Sequence, residues 1–183
     1  MFIHQNFPGQ FRHLASALAV ADPKNEVVAI GDINEAGQRP QLPGVRLLCY
    51  ETPQGASSST HNYIRNLEAG VRRGQQVCRL MLKLRAEGFV PDIICCHPAW
   101  GEGIYLKDVF PDAKLLHFFE FFYRAIGADV DFDPSSRLPL MTNCGYEPKI
   151  LFNYSVWRML IWGFLRLIGN GLNILLSSAK KSV

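Results

Sequence analysis

Pro91-Asp92-Ile93-Ile94-Cys95-Cys96-His97-Pro98 reads as one buried strand, opened by a proline–aspartate pair and closed by His97-Pro98. A short helical stretch from Gly103 to Phe110 follows. Pro111-Asp112 then leads into another apolar run, Lys114 to about Phe121. Strand, helix and strand in so short a span require a crossover, and crossovers of this kind are right-handed and join parallel strands.

The same rhythm extends toward the N-terminus. Val45 to Tyr50 is a strand, and so is Glu26 to Ile30, which ends at Gly31-Asp32. Phe2-Ile3-His4 is a short first strand running into the polar loop Gln5 to Gln10. Asn6 is placed to cap a helix with Pro8 in its first turn, where a missing N–H costs little. Phe11, Leu14, Leu18 and Ala21 recur at helical spacing until Asp22-Pro23. Ser57-Ser58-Ser59-Thr60 offers caps for a long helix reaching about Glu87. Its apolar stripe is Tyr63, Leu67, Val71, Val77, Leu80 and Leu84, while Arg65, Arg72, Arg73 and Arg79 mark a solvated face. The expected fold is therefore α/β, a Rossmann-like parallel sheet with flanking helices. Chemistry in such sheets gathers at the carboxyl ends of the strands. Here those ends are His4 to Gln10, Gly31-Asp32, Glu51-Thr52, His97 to Glu102 and Glu120 to Arg124.

Composition divides the chain. Of its 183 residues, 48% are hydrophobic and 19% charged, enough to bury a core and too short for two full domains. Residues 1–137 carry 14 basic and 15 acidic side chains, whereas residues 138–183 carry five and one. We expect one α/β domain over 1–137 and a divergent, basic, apolar helical tail over 138–183. Within the tail, Ser155, Arg158, Arg166, Asn170 and Asn173 fall on one side of a helical projection, with apolar residues over most of the rest. Such a tail could lie on a membrane surface through 150–176 with Lys180 and Lys181 near headgroups. A full span would put Arg166 near mid-bilayer at about 2.5–3.5 kcal/mol. It could equally pack on the sheet. Five cysteines, none in a Cys-x-x-Cys pair, argue against a disulfide framework or zinc ribbon. The N-terminus carries no secretory signal pattern, so a cytoplasmic protein is expected, peripheral to membrane at most.

Four stretches hold candidate chemistry. Pro8-Gly9-Gln10 allows close approach of a ligand to backbone at a helix start, or is a plain turn. The His97 to Glu102 loop offers Trp100 as a stacking face and His97 and Glu102 as hydroxyl partners. Its Gly101-x-Gly103 only half-matches a dinucleotide fingerprint, since Leu106 replaces the third glycine. Glu120, among aromatics at a strand end, should have a raised pKa suited to proton transfer, unless it pairs with an arginine such as Arg124. Asp129-Val130-Asp131-Phe132-Asp133 fails as a calcium loop because Pro134 and Leu140 stand where Gly and Glu are required. Cys95-Cys96-His97 is no metal set, as strand neighbours face opposite ways.

Together, His4 to Leu14, the Trp100-Gly101-Glu102 loop, Leu106 to Asp112, Phe119 to Arg124 and Gly127 to Val130 resemble the N-terminal domain of family 4 glycosyltransferases. The resemblance spans about residues 2–137. It implies the N-terminal half of a GT-B fold, in which two Rossmann-like domains face across a cleft. The reaction implied is retaining hexosyl transfer from a nucleotide-sugar, usually without metal and with no separate cofactor. It also implies an acceptor side lined by Pro8, Gly9, Gln10, His97, Trp100, Glu102 and Tyr123, with Glu120 near the reacting centre. The family's donor-binding domain carries a Glu-x₇-Glu pair. After Arg137 the sequence has one acidic residue, Glu147, so that pair is not present here. The last strands of the first domain are also expected to be missing.

A sugar acceptor is the expected partner, and nucleic acid is not. Three readings stay open at this point. The chain is a truncated or frame-altered glycosyltransferase, not active alone; or it works with a separately encoded donor domain; or it is a non-catalytic, membrane-surface binding protein on the same scaffold.

Overall fold

The computed structural model describes residues 1–119. Five strands form one parallel sheet: β1 (Phe2–Ile3), β2 (Val27–Asp32), β3 (Val45–Tyr50), β4 (Ile93–Cys96) and β5 (Lys114–His117), in the order β3-β2-β1-β4-β5. The expected α/β parallel architecture is what these residues adopt. β1 is only two residues long yet lies at the centre, with Ile3 level with Ile30 on one side and Cys96 on the other. Its short length is offset by complete burial of Phe2 and Ile3 and by the Met1 ammonium, which donates to the Ile93 carbonyl at 2.8 Å.

The alternation of strand side chains separates two cores. Ile3, Val28, Ile30, Ile94 and Cys96 face α2 (Arg65–Ala86) and the short α3 (Leu106–Val109), joining Val77, Met81, Leu84 and Phe110. Phe2, Val27, Ala29 and Cys95 face α1 (Arg12–Ala21) and meet Phe7, Phe11 and Ala15. Each fully buried aliphatic or aromatic side chain in these cores contributes roughly 1.5–3 kcal/mol. Cys95 and Cys96 thus lie on opposite faces of the sheet, and burial raises both thiols above their ordinary range.

Three local expectations are corrected. Asn6 does not cap α1: a 3-10 turn over Gly9–Phe11 precedes the helix, and Phe11 occupies the cap position with no side-chain bond. Ser57–Thr60 do not cap α2 either; His61 accepts from the Tyr63 N–H, and Thr60 instead donates its hydroxyl to Glu68. The buried stripe of α2 is Gly70, Gly74, Val77, Met81 and Leu84, with Tyr63 and Leu67 exposed. Hydrophobicity alone misses the first two, because what packs there is backbone.

Candidate functional site

Two glycines of α2 and one in the loop after β4 make a backbone-to-backbone contact. Gly101 has φ +106°, and a Cβ there would lie 2.2 Å from the Gly70 carbonyl oxygen. A Cβ on Gly74 would lie 2.7 Å from the Gly101 carbonyl oxygen. No side chain can rotate away from either clash, so the loop docks only because Gly74 and Gly101 lack a Cβ.

That docking places Glu102 in the interior with no exposed surface. The Tyr50 hydroxyl, at the end of β3, donates to Glu102 Oε1 at 2.9 Å. Arg73 lies beside it, Nε 3.9 Å from the same oxygen, while its Nη1 donates to the Trp100 carbonyl at 3.1 Å. Arg73 therefore belongs to this buried group rather than to the solvated face expected for it. Burial pushes the Glu102 carboxyl up to about 7, against the opposing pull of backbone, Arg73 and Tyr50. The Tyr50 phenol is driven upward by its own burial and then by the neighbouring carboxylate. The Glu102 carboxyl thus ties together the ends of β3, α2 and the loop after β4, and its placement is that of a group that holds the loop.

On the other side of the same strand ends, the β1 and β4 termini set two imidazoles together. The His97 N–H donates to the Ile3 carbonyl, and the rings of His4 and His97 stand 4.8 Å apart. His4 Nδ1 accepts from the Asn6 N–H at 2.8 Å, which turns the chain into the Pro8-Gly9-Gln10 loop. Gly9, at φ +41°, passes so close that a Cβ would lie 3.1 Å from the His4 ring. Phe11 and Phe118 complete the group, 6.0 Å from His4 and 6.2 Å from His97 respectively. Trp100, three residues after His97 in the same loop, keeps its indole 49% exposed. Asp32, at the end of β2, accepts from the Thr52 hydroxyl and from the Asn34 N–H, fixing the neighbouring turn.

Of the residues expected to face an acceptor, Pro8, Gly9 and His97 come together around the His4 ring or its loop, while Gln10 and Trp100 are exposed in the two loops that carry them. Glu102 is set apart behind the loop. Glu120 and Tyr123 lie outside the described residues, as do the acidic run at 129–133 and the tail. Sequence reading gave no role to His4, Tyr50 or Arg73. His4 and Tyr50 stand at strand ends, which was the available signal, but Arg73 carried none. Among the described residues no group of three His, Cys, Asp or Glu side chains is placed to hold a metal ion, and no helix is long and apolar enough to cross a membrane.

A family model described as Glycosyl transferase family 4 group matches residues 23–155, nearly three quarters of the chain. The matched segment takes in β2 through β5 and the Trp100 loop, begins after the Pro8-Gly9 loop, and runs beyond Arg137. No curated protein and no solved structure matches the chain.

Proposed function

This chain belongs to the glycosyl transferase family 4 group, and from that premise we propose that residues 1–137 form the acceptor-side half of a retaining glycosyltransferase. The observation that supports the reading is the meeting of the Pro8-Gly9 loop and His97 around the His4 ring at the carboxyl ends of β1 and β4, where a parallel sheet binds its ligands, with exposed Trp100 in the loop that follows β4. Trp100 stacks on a sugar ring, His97 and Gln10 meet its hydroxyls, and Gly9 leaves room for the ring at the backbone. Glu102 acts as a positioning residue, holding Trp100 through Arg73. Glu120 and Tyr123 belong to the same acceptor side, with Glu120 nearest the reacting carbon.

In the reaction, the bond from the donor's anomeric carbon to its nucleotide diphosphate breaks. A bond from that carbon to an acceptor hydroxyl oxygen forms, and the hydroxyl proton passes to the departing diphosphate. The donor is held by a unit bearing the Glu-x₇-Glu pair, which completes the cleft. A transfer screen with uridine- and guanosine-diphosphate sugars against a panel of glycan acceptors tests this. Product is expected when a donor-binding unit of the family is supplied, and not with residues 1–183 alone. Product from no combination of donor, acceptor and donor-binding unit contradicts the reading.

A further inference from the structure

Beside the Pro8-Gly9-Gln10 loop lies a cavity of about 400 Å³ lined by Pro8, Arg12, Arg39, Pro40, Gln41 and Leu42. Two of its six lining residues are arginines, and no acidic side chain lines it. Most arginines of residues 1–119 are engaged: Arg46 with Glu87, Arg72 with Glu68, Arg73 with Trp100 and Glu102, and Arg65 and Arg85 with backbone carbonyls. Among the described residues Arg12 and Arg39 have neither an ion pair nor a side-chain hydrogen bond, and they share this cavity. Arg12 opens α1 and Arg39 follows the turn after β2, so two separate elements bring like charges to one hollow. Like charges gathered without a counter-charge are stabilised when an anion bridges them, and guanidinium forks match phosphate oxygens.

We propose that this cavity binds a phosphate monoester, with Arg12 and Arg39 on its oxygens, Gln41 beside them, and Pro8 and Leu42 against the attached carbon chain. Its volume of about 400 Å³ admits a phosphate on a small polyol. Pro8 borders both this cavity and the acceptor loop. The phosphate therefore marks an anionic acceptor, a further step that rests on the glycosyltransferase reading. A second charge develops on a phosphate monoester near pH 6, so binding tightens as pH rises through that value. Added salt weakens it, because both arginines are exposed.

The full chain is titrated calorimetrically with glycerol 3-phosphate at low salt, with glycerol as the neutral counterpart. Saturable binding is expected for the wild type and for Arg79→Gln, a control on the exposed face of α2. Affinity at least tenfold weaker is expected in Arg12→Gln and in Arg39→Gln, and none for glycerol. Vesicles containing phosphatidate, compared with glycerol 3-phosphate, assign the phosphate to a lipid or a soluble carrier; binding of either supports the site. Absence of saturable binding to both carriers overturns the proposal. So does wild-type affinity in both Arg12→Gln and Arg39→Gln, or an equal loss in Arg79→Gln. Phosphate binding without sugar transfer in any combination keeps the site and removes the acceptor role; transfer without phosphate binding keeps the glycosyltransferase reading and removes the site.

Discussion

The loop after β4 has two ends with opposite surroundings. At Trp100, three residues after His97 in the same loop, the side chain is half exposed. Two residues on, Glu102 is sealed between Tyr50 and Arg73. Both residue types suit carbohydrate binding, and their proximity in sequence invites treating them as one site. The structure separates them: one end presents a surface and the other holds the loop that carries it. A polar residue in a strand-end loop is thus not by that fact a ligand contact.

The contrast is broken most severely at its hinge. Gly101→Ala sets a methyl group against the Gly70 backbone at a positive φ. It is expected to destabilise the domain by roughly 3 kcal/mol or more, combining backbone strain with overpacking. Urea unfolding of the full chain measures it, and a loss below about 1 kcal/mol would show that the loop docks differently. Glu102→Ala strips Tyr50 and Arg73 of their shared carboxylate at a buried position. A loss of about 2–3 kcal/mol is expected, while Glu102→Gln, which keeps the shape, should cost distinctly less.

Next in size is the dependence of stability on pH. The Glu102 carboxyl rises from its ordinary 4.5 to about 7 through burial. Its contribution is therefore full below pH 4.5 and declines as pH climbs to 7. His117, lowered by burial from 6.5 to about 4, runs the other way: its contribution is full above pH 6.5 and is lost as pH falls to 4. Between pH 4.5 and 6.5 the two slopes oppose, each at most about 1.4 kcal/mol per pH unit. Glu102→Gln should leave stability falling on acidification across that window, and His117→Phe should leave it rising. Parallel profiles for the two variants would contradict the assignment. Smallest is Trp100→Ala, expected to change stability by less than about 0.5 kcal/mol, since the indole is half exposed. A large loss there would erase the contrast between the two ends of the loop.

How much of this was legible in the sequence depends on what each contact is made of. The strands β2 to β5 are contiguous apolar runs between turn residues, and they start close to where their patterns place them, although β2 extends through Gly31-Asp32 and β5 stops at His117, short of the Phe121 expected for it. The start of α1 is not, because the 3-10 turn satisfies its first N–H groups with backbone and leaves Asn6 no capping role. The N-terminal half of α2 misleads for a related reason. Gly70 and Gly74 bury no side chain, so a hydrophobic count selects Tyr63 and Leu67, which face outward. Arg73 reads as surface because its partner Glu102 is distant in sequence and meets it only after the loop folds back. The strand-end loops were found as loops; their division into a holding end and a presenting end required the fold.

The most direct measurement of the central claim is a calorimetric titration of the full chain with neutral and phosphorylated oligosaccharides in the absence of any donor. Wild type and Glu102→Gln are expected to bind at least one class saturably, with Trp100→Ala binding at least tenfold more weakly at unchanged stability. Saturable binding undiminished in Trp100→Ala, or no binding of any oligosaccharide by the wild type, would contradict an acceptor face at the ends of β1 and β4.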